Sequence, residues 1–419
     1  MKSPGILIVG AGQSAAVAAH ALREHGYGGR IAMLGREWHR PYERPPLSKA
    51  VLVAAQEPVL DVLAEEAWAR SNIELLNGSD AAALDLARKE VRLASGETFE
   101  YEKCLLATGG EPRTLLCCQP YSRGVHYIRT LEDARRLRAA LGRRPQVAIL
   151  GGGFLGLEVA HSALAVGASV TVLERATSLL DRFLPPEVSA WLQSDLSRAG
   201  ARILLGTSVS DAFPVGTGRM LLVTDAGARL EVDEVVVAIG LTPNDALGRE
   251  AGLEIGPGGG VLVDANCRTS NEDVFACGDC ASQQRPGQSR PTRLESWQNA
   301  NEQARTAAAA MLGASPPKQP VPWFWTDQGA HNIQMLGLPA DDLEYVRRGD
   351  PTNAKALWIG HRSFVPVHAV GINAGAELLA LRPLVERRQP VQLQDFHLDT
   401  LNLRAWAKQQ VLAQAAVPR

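Results

Sequence analysis

The sequence contains few cysteines and lacks a long apolar run. Only six of its 419 residues are cysteine, and the first is Cys104, so a disulfide framework is not expected. Because no apolar run reaches roughly 18 residues, we expect no transmembrane helix. An apolar stretch at residues 6–9 follows the N-terminus almost at once and leaves no room for a signal peptide. These absences predict a cytoplasmic protein that does not associate with membranes.

The charges of the chain are nearly balanced. Lysine and arginine total 43 and aspartate and glutamate total 45, for a net charge of −2. This balance gives no electrostatic reason to expect nucleic acid or an anionic membrane as a partner. The nine histidines show no ligand-like spacing, so we predict no metal site. The length predicts two or three domains.

A glycine-rich motif follows an apolar strand at residues 147–150. It has the form Gly-x-Gly-x-x-Gly, and an apolar pattern at helical spacing follows it. Strand, glycine turn and helix together form a dinucleotide-binding fingerprint, in which the helix N-terminus binds the pyrophosphate. The next strand ends in an acid that suits a ribose hydroxyl and would repel a 2′-phosphate. The residues predicted to bind this nucleotide are Gly151, Gly153, Phe154, Leu155, Gly156 and Glu174.

A second fingerprint stands at the N-terminus, with Gly10, Gly12 and Ala15 in the Gly-x-Gly-x-x-Ala form. Glu37 is its candidate ribose-binding acid, although the neighbouring Arg36 could favour a phosphorylated ribose. Two fingerprints predict two nucleotides, most economically FAD and a nicotinamide cofactor. The alternative is a duplicated fold with one inactive site. The predicted fold class is α/β, with two Rossmann-like domains and a C-terminal α+β domain.

Residues 41–49 read Pro-Tyr-Glu-Arg-Pro-Pro-Leu-Ser-Lys. On composition alone this is a stiff proline turn before a helix, with Ser48 suited to the N-cap. The segment resembles the FAD-contacting loop of ferredoxin reductases from bacterial multi-component oxygenase systems, which have a glutathione-reductase-like fold. The resemblance implies that Arg44 and Pro45 contact FAD and that Lys49 lies near flavin N5.

Other segments match the same family. Residues 107–109, Ala-Thr-Gly, resemble the exit from the FAD domain, and residues 276–279 resemble the second FAD signature. A Glu-x-Trp segment at 295–297 resembles the border of the flavin ring, although a helix start with a buried tryptophan is the alternative. The residues that the resemblance assigns to FAD are Ala107, Thr108, Gly109, Arg113, Gly278, Asp279, Glu295, Ser296 and Trp297, and it assigns Gly240 to the nicotinamide nucleotide.

The resemblance also divides the chain. It implies an FAD domain at 1–113 and 247–319, a nicotinamide domain at 114–246 and a C-terminal interface domain at 320–419. Within these domains, the pattern predicts helices at 131–141, from the segment 185–187, from 293 to 311 and at 401–413. A run of aromatic residues at 323–325 is most often core, although in such a place a tryptophan could lie on an exit route for electrons.

The activity implied by the resemblance is hydride transfer from NADH to FAD N5, followed by single-electron transfer to a [2Fe–2S] ferredoxin. A Rieske-type ferredoxin feeding an aromatic ring-hydroxylating dioxygenase is favoured over a ferredoxin that feeds a haem-thiolate monooxygenase. Lys49 and Glu158 are the candidate catalytic pair beside N5, and an acid at a helix N-terminus is the plainer interpretation of Glu158. Ferredoxins of the monooxygenase type are acidic, so the docking face would then be basic. Its candidates are Arg290, Arg293, Arg387 and Arg388, although a solvated charged surface is the plainer interpretation of such residues.

Alternative functions remain at this point. A disulfide reductase would need a pair of cysteines in the first half of the FAD domain, but no cysteine precedes Cys104. An NADH oxidase or peroxidase would need a single redox cysteine near position 40, where His39, Pro41 and Tyr42 stand instead. Cys277 and Cys280 have redox spacing but are also explained as small residues beside a cofactor. A signalling flavoprotein of the apoptosis-inducing-factor kind is the non-enzymatic alternative. Arg175 directly follows Glu174 and weakens the expectation of NADH over NADPH. A monomer or homodimer is expected.

Overall fold

The computed structural model describes residues 5–216, 218–286 and 288–415. Its helices are α1 (Gln13–Glu24), α2 (Ala50–Val53), α3 (Glu65–Ser71), α4 (Leu131–Leu141), α5 (Phe154–Ala165), α6 (Pro186–Arg198), α7 (Ala246–Glu250), α8 (Trp297–Met311), α9 (Gly375–Arg387) and α10 (Leu403–Ala415). Short 3₁₀ turns lie at Pro45–Ser48, Gly278–Cys280 and Pro351–Asn353.

The strands lie singly on either side of α1 and α5 and follow one another in runs elsewhere among the described residues. They are β1 (Ile6–Val9), β2 (Ile31–Gly35), β3 (Glu74–Asn77), β4 (Ala81–Asp85), β5 (Glu90–Leu93), β6 (Thr98–Glu100), β7 (Lys103–Leu106), β8 (Gly110–Pro112), β9 (Val125–His126), β10 (Gln146–Leu150), β11 (Ser169–Glu174), β12 (Arg202–Leu205), β13 (Val209–Val215), β14 (Arg219–Thr224), β15 (Arg229–Val232), β16 (Glu234–Val237), β17 (Leu241–Pro243), β18 (Val261–Val263), β19 (Val274–Ala276), β20 (Ala281–Gln283), β21 (Trp323–Gln328), β22 (His331–Gly337), β23 (Glu344–Asp350), β24 (Lys355–Arg362) and β25 (Val365–Ile372).

One compact unit comprises Met1–Pro46, Val59–Glu111 and Leu241–Gln319. Its central sheet is parallel, in the order β19-β7-β1-β2-β3. The strands are apolar on both faces because both faces are covered. Alanines of α1 and α8 pack on one face, and the small antiparallel sheet β4-β5-β6 contributes apolar side chains to the other. The carboxyl end of β1 therefore leads directly into the turn before α1.

The other unit comprises Leu47–Pro58, Pro112–Gly240 and Pro320–Arg419. It contains a parallel sheet in the order β12-β11-β10-β16-β9 and the antiparallel sheet β13-β14-β15. Helix α4 begins with a capping box, in which the Thr130 hydroxyl accepts from the Asp133 N–H and the Asp133 carboxylate accepts from the Thr130 N–H. On β16, buried Glu234 pairs with His126 at 2.8 Å and with Arg143.

The same unit also contains an antiparallel sheet in the order β21-β22-β25-β24-β23. Helices α9 and α10 cover one face of it. Leu378, Leu381 and Leu384 of α9 pack there with Phe396 and Trp406. This arrangement leaves β21 at the sheet edge, where it contacts α5.

The predicted fold class is confirmed, and so is the helix at 131–141. The predicted helix from 293 begins only at Trp297, and the predicted C-terminal helix begins at Leu403 rather than Leu401. The predicted N-cap role of Ser48 is wrong: Lys49 precedes α2 as its N-cap residue, and the Ser48 hydroxyl has another partner. The three-domain division stays a prediction.

Candidate functional site

The turn between β1 and α1 requires glycine. Gly10 has a φ of +120°, and a Cβ at this position would lie 2.2 Å from the carbonyl oxygen of Ala107. Gly12 precedes α1, where a Cβ would meet nothing within 4 Å and no described side chain caps the helix. Ala15 is fully buried behind the turn. The uncapped N–H groups and the open approach fit the pyrophosphate of a dinucleotide.

The turn between β10 and α5 has the same construction. Gly151 has a φ of +112°, and a Cβ there would lie 2.3 Å from the carbonyl oxygen of Ala238. At Gly153 a Cβ would meet nothing within 4 Å, and no described side chain caps α5. At Gly156 it would lie 2.1 Å from the Gly151 carbonyl oxygen, so helix and strand can approach only without a side chain. This turn fits a second dinucleotide.

Glu174 at the end of β11 is held by the backbone around it. Its Oε2 accepts a hydrogen bond from the Gly152 N–H at 2.6 Å, and its Oε1 accepts from the Ala176 N–H at 2.7 Å. The carboxylate is thereby fixed beside the glycine turn, where a ribose would bind. Arg175 is exposed.

Glu37, the corresponding acid after β2, is part of an ion pair. It accepts hydrogen bonds from Arg44 at 2.7 Å and from the Tyr42 hydroxyl at 2.5 Å. The Arg44 guanidinium also lies 5.1 Å from the centre of the Tyr42 ring. Burial alone would lower the pKa of Arg44, but Tyr42, Glu37 and Asp279 together raise it. The predicted FAD residues Glu37 and Arg44 therefore fix each other, and Pro45 opens the 3₁₀ turn that follows.

The segment at 107–109 is locked by Asn244. The Thr108 hydroxyl donates to the Asn244 carbonyl oxygen at 2.6 Å, and the Asn244 amide donates back to the Thr108 carbonyl at 3.0 Å. The Asn244 N–H donates to the Gly109 carbonyl at 2.9 Å, and Gly109 has a φ of +66°. These bonds fix the backbone of the predicted exit from the FAD domain.

Gly278 and Asp279 form the 3₁₀ turn after β19. The Gly278 N–H donates to the Gln303 side chain at 2.9 Å. Arg293 donates to the Asp279 carbonyl oxygen at 3.2 Å and pairs with Glu295 at 2.9 Å. Because the Arg293 side chain is only 10% exposed, its predicted place in an open docking face is wrong.

The predicted flavin-border residues at 295–297 start a helix. The Ser296 hydroxyl is the N-cap of α8 and accepts from the Asn299 N–H at 3.2 Å. Trp297 is the first helical residue and is half-buried. Arg113 lies elsewhere, beside the predicted nicotinamide residue Gly240, whose carbonyl accepts from its N–H at 2.9 Å. The cofactor roles of these residues stay predictions.

Cys277 and Cys280 are fully buried beside this turn. Burial raises the pKa of both thiols, and the Cys280 thiol donates to the Leu106 carbonyl oxygen at 3.4 Å. Since the thiolate is the reactive form of cysteine, these two residues are suited to packing rather than to thiol chemistry.

Lys49 and Glu158 form the predicted pair. The Lys49 Nζ lies 3.2 Å from Glu158 Oε1 and 3.4 Å from Asp327 Oδ2. The Ser48 hydroxyl donates to Glu158 Oε2 at 2.5 Å, and the Thr326 hydroxyl donates to Oε1 at 2.7 Å. The Glu158 side chain is 9% exposed and that of Lys49 is 21% exposed. The plainer interpretation, an acid that merely favours its helix end, does not describe this contact set.

Aromatic side chains pack beside this pair. The Phe154 ring lies 4.6 Å from that of Phe324 and 5.0 Å from that of Phe183. Trp323 and Trp325 stack on each other at 5.1 Å with 21° between their planes. The aromatic run therefore has two faces, one of which packs against the start of α5.

Four residues that surround the Lys49–Glu158 pair were not predicted as site residues from the sequence. Three of them, Thr326, Asp327 and Gln328, lie on β21, and the fourth is Ser48. The available signal was the alternation along residues 323–328, which places every second side chain on one face of a strand. That signal does not reveal which helix the face meets.

Comparison with known proteins places these features in a family. Residues 4–304 match the pyridine nucleotide-disulphide oxidoreductase family. The chain belongs to this family. Residues 323–407 also match a reductase C-terminal domain. Membership of the pyridine nucleotide-disulphide oxidoreductases confirms the predicted oxidoreductase class and the predicted cofactors, FAD and NADH.

Individual relatives of this oxidoreductase are similar over nearly its whole length. It is 36% identical, over 92% of its residues and 97% of the relative's, to the 3-phenylpropionate/cinnamic acid dioxygenase ferredoxin–NAD(+) reductase component of Photorhabdus laumondii. The structure resembles that of a covalent putidaredoxin reductase–putidaredoxin complex, with a TM-score of 0.92, 32% identity and full coverage of both chains.

A second structure is similar to the same degree. The ferredoxin reductase for the CYP199A2 system of Rhodopseudomonas palustris has a TM-score of 0.91 and 32% identity, covering 97% of this chain and 100% of its own. The predicted resemblance to ferredoxin reductases of oxygenase systems is confirmed. In the described ranges, no helix of this oxidoreductase is long and apolar enough to cross a membrane.

Proposed function

We propose that the protein is an NADH:ferredoxin oxidoreductase that supplies electrons to a bacterial oxygenase. The proposed electron acceptor is a [2Fe–2S] ferredoxin of the Rieske type, and the proposed oxygenase is an aromatic ring-hydroxylating dioxygenase. The dioxygenase component of Photorhabdus laumondii, at 36% identity, supports this branch.

Two sets of residues would hold the cofactors. FAD would be bound by the N-terminal turn, the Glu37–Arg44 pair and the segments at 107–109, 278–279 and 295–297. NADH would be bound by the turn of α5 and by Glu174, whose fixed charge disfavours a 2′-phosphate. The hydride and single-electron chemistry is supplied by FAD when it is bound.

The observation that carries the proposal is the Lys49–Glu158 pair. The lysine ammonium is held by two carboxylates, and the buried one is fixed by two hydroxyl donors. A positive charge held in this way stabilises negative charge that develops beside it, without reorganisation at the moment of reaction. A charge on Lys49, held in place by Glu158, would therefore favour hydride transfer to a flavin beside it.

A second candidate function has its own support. The two similar structures are a putidaredoxin reductase in complex with putidaredoxin and a reductase for the CYP199A2 system. A ferredoxin that feeds a haem-thiolate monooxygenase is therefore the alternative acceptor. The chain would then perform the same reaction for a different oxygenase.

Ferredoxin reduction under anaerobic conditions tests the proposal. The FAD-loaded protein and NADH are mixed with a Rieske-type ferredoxin or a cysteine-ligated [2Fe–2S] ferredoxin, and kcat/KM is compared. A higher value for the Rieske-type protein supports the dioxygenase branch, and the reverse supports the alternative. Slow reduction of both ferredoxins, with rapid oxidation of NADH in a parallel assay under air, would refute a ferredoxin reductase and favour a signalling flavoprotein.

We also propose a cytoplasmic protein that is a monomer or homodimer. Sedimentation of the FAD-loaded protein over a range of concentrations distinguishes these two states, and a larger assembly would contradict both.

A further inference from the structure

Strand β21 lies along helix α5 with a fixed register. Phe324 meets Phe154, and two residues later Thr326 meets Glu158, which is four residues further along the helix. Two residues of strand span about 6.6 Å, and four residues of helix span about 6 Å. The two repeats therefore match, so that alternate side chains of β21 reach successive turns of α5.

The donor and the acceptor of each hydrogen bond between β21 and α5 follow from the chemistry of the groups. A carboxylate only accepts, so the Thr326 hydroxyl must donate its proton to Glu158 Oε1. Thr326 can then only accept from its other neighbour, Gln328, whose amide nitrogen lies 2.7 Å away. The side-chain amide of Gln328 therefore donates to Thr326, which donates to Glu158. Each bond in such a chain polarises the next.

The hydrogen bonds that join Gln328, Thr326 and Glu158 are shielded from water. Thr326 and Gln328 are both 0% exposed. Gln328 Oε1 is buried without a hydrogen-bond partner among the described residues. A buried amide that leaves its oxygen unpaired is costly for stability. An apolar side chain of similar size would avoid this cost, which points to a role for the donating nitrogen.

Strand β21 also contacts Lys49. Asp327 follows Thr326 directly and lies 3.4 Å from Lys49, and its Oδ1 accepts from the Asn332 amide at 2.7 Å. Consecutive residues of β21 thus hold a donor to Glu158 and a second acceptor for Lys49. Thr326 shares Glu158 Oε1 with Lys49, so the Thr326 hydroxyl limits how much of the carboxylate charge acts on the lysine.

We propose that Thr326, oriented by Gln328, is a positioning residue that sets the charge balance of the Lys49–Glu158 pair beside FAD. The inference rests on the proposed function for the role of Lys49. Removing the hydroxyl leaves the buried carboxylate with less compensation of its negative charge. A more negative environment disfavours reduction of a neighbouring flavin, so the midpoint potential should fall.

The experiment measures the two-electron midpoint potential of bound FAD in Thr326→Val and Thr326→Ser. The Val variant removes the hydroxyl at nearly constant volume, and we expect about a tenfold shift of the reduction equilibrium, equivalent to about 30 mV for two electrons. The Ser variant keeps the donor and should restore the wild-type potential. In a Glu158→Gln background the Val substitution should shift the equilibrium by less than about threefold, because no carboxylate charge remains.

Kinetics supply a second readout. The limiting rate of anaerobic FAD reduction by NADH should fall about tenfold in Thr326→Val, since a hydrogen bond to a charged group is lost. KM for NADH should stay within about twofold, because the hydroxyl contacts no predicted nucleotide-binding residue. Gln328→Met should change potential and rate in the same direction by a smaller factor, and it replaces the Val variant if that protein does not retain FAD.

Thr224→Val is the matched control. Thr224 is buried in the same unit, and its hydroxyl accepts from the Ala228 N–H at 3.1 Å. This variant should lose stability and keep the wild-type potential. A wild-type potential in Thr326→Val or in Gln328→Met would overturn the inference, as would an equal shift in Thr326→Val and Thr326→Ser. None of these potentials involves ferredoxin, so failure to reduce ferredoxin would refute the proposed function alone.

Discussion

Replacing Lys49 with alanine tests the centre of the proposed site. The substitution removes an ammonium group 3.2 Å from Glu158 and 3.4 Å from Asp327. Breaking a fully buried ion pair lowers the free energy of unfolding by about 3–5 kcal/mol, whereas an exposed pair contributes only about 0–1 kcal/mol to it. Lys49 is 21% exposed and two hydroxyls still donate to Glu158, so the cost should lie between these limits, at about 1–3 kcal/mol.

The rate should respond more strongly than the stability. Removing a preorganised group that stabilises developing charge typically lowers a rate by about 10²–10³. Since Lys49 would act by charge alone and is partly exposed, we expect a smaller effect, about ten- to hundredfold slower reduction of FAD. FAD itself should stay bound, because the N-terminal turn and the Glu37–Arg44 pair are unchanged.

Anaerobic stopped-flow absorbance, with a single turnover of NADH, measures this step without ferredoxin. Lys49→Arg keeps the charge and should recover much of the rate. Lys355→Ala is the matched control, because Lys355 pairs with Glu377 at 2.8 Å on an exposed surface. This variant should lose less than about 1 kcal/mol of folding stability, and NADH should reduce its FAD at the wild-type rate. Unchanged single-turnover reduction in Lys49→Ala would remove this lysine from the mechanism.

Four further substitutions test other parts of the molecule. Gly10→Ala should release FAD, because its Cβ would lie 2.2 Å from a carbonyl oxygen. Gly12→Ala has no such clash, so this variant should stay folded and bind FAD more weakly. Absorbance after gel filtration measures the FAD that each variant retains. Glu174→Ala should raise the NADPH/NADH ratio of kcat/KM by roughly 10- to 100-fold, since a repulsive charge is removed; an unchanged ratio would contradict its role. Burial alone would raise the pKa of Glu234, but its two basic partners outweigh burial and lower it. The contribution of this pairing to folding stability is therefore complete above pH 4.5, the ordinary pKa of a glutamate. It is lost as the pH falls through the lowered pKa of Glu234 in the folded protein. Glu234→Gln should show a smaller loss of urea resistance between about pH 6 and about pH 3 than the wild type, and an equal loss would refute this assignment.

Local patterns predicted the two nucleotide turns because their physical requirements are local. Gly10 and Gly151 each need a positive φ and a position without a Cβ, and a strand and a helix stand on either side of each. The helix at 131–141 was predicted for the same reason, since its start and its apolar spacing lie within a dozen residues. Such features depend on neighbours in sequence, which a single chain displays directly.

The role of Ser48 could not be predicted in this way. Its sequence context suits a helix N-cap, yet its hydroxyl bonds to a carboxylate 110 residues away. Thr326 and Gln328 are polar residues in an aromatic strand, and the partner of that strand is set by the docking of β21 on α5. The resemblance supplied the Lys49–Glu158 pair, but the hydroxyls that hold the pair emerge only from tertiary packing.

Helix α5 joins two parts of the proposed site. Its first turn has N–H groups that no described side chain caps, which suits the pyrophosphate of NADH. Glu158 lies five residues after the cap residue Gly153, or about 7.5 Å along the axis. A rigid helix fixes that separation, so the bound nucleotide and the lysine–glutamate pair cannot move independently. The contact with β21 restrains the same helix from the side of Phe154 and Glu158. A substitution that loosens this contact should therefore affect the reacting geometry more than the affinity for NADH, because the glycine turn and Glu174 lie outside the contact.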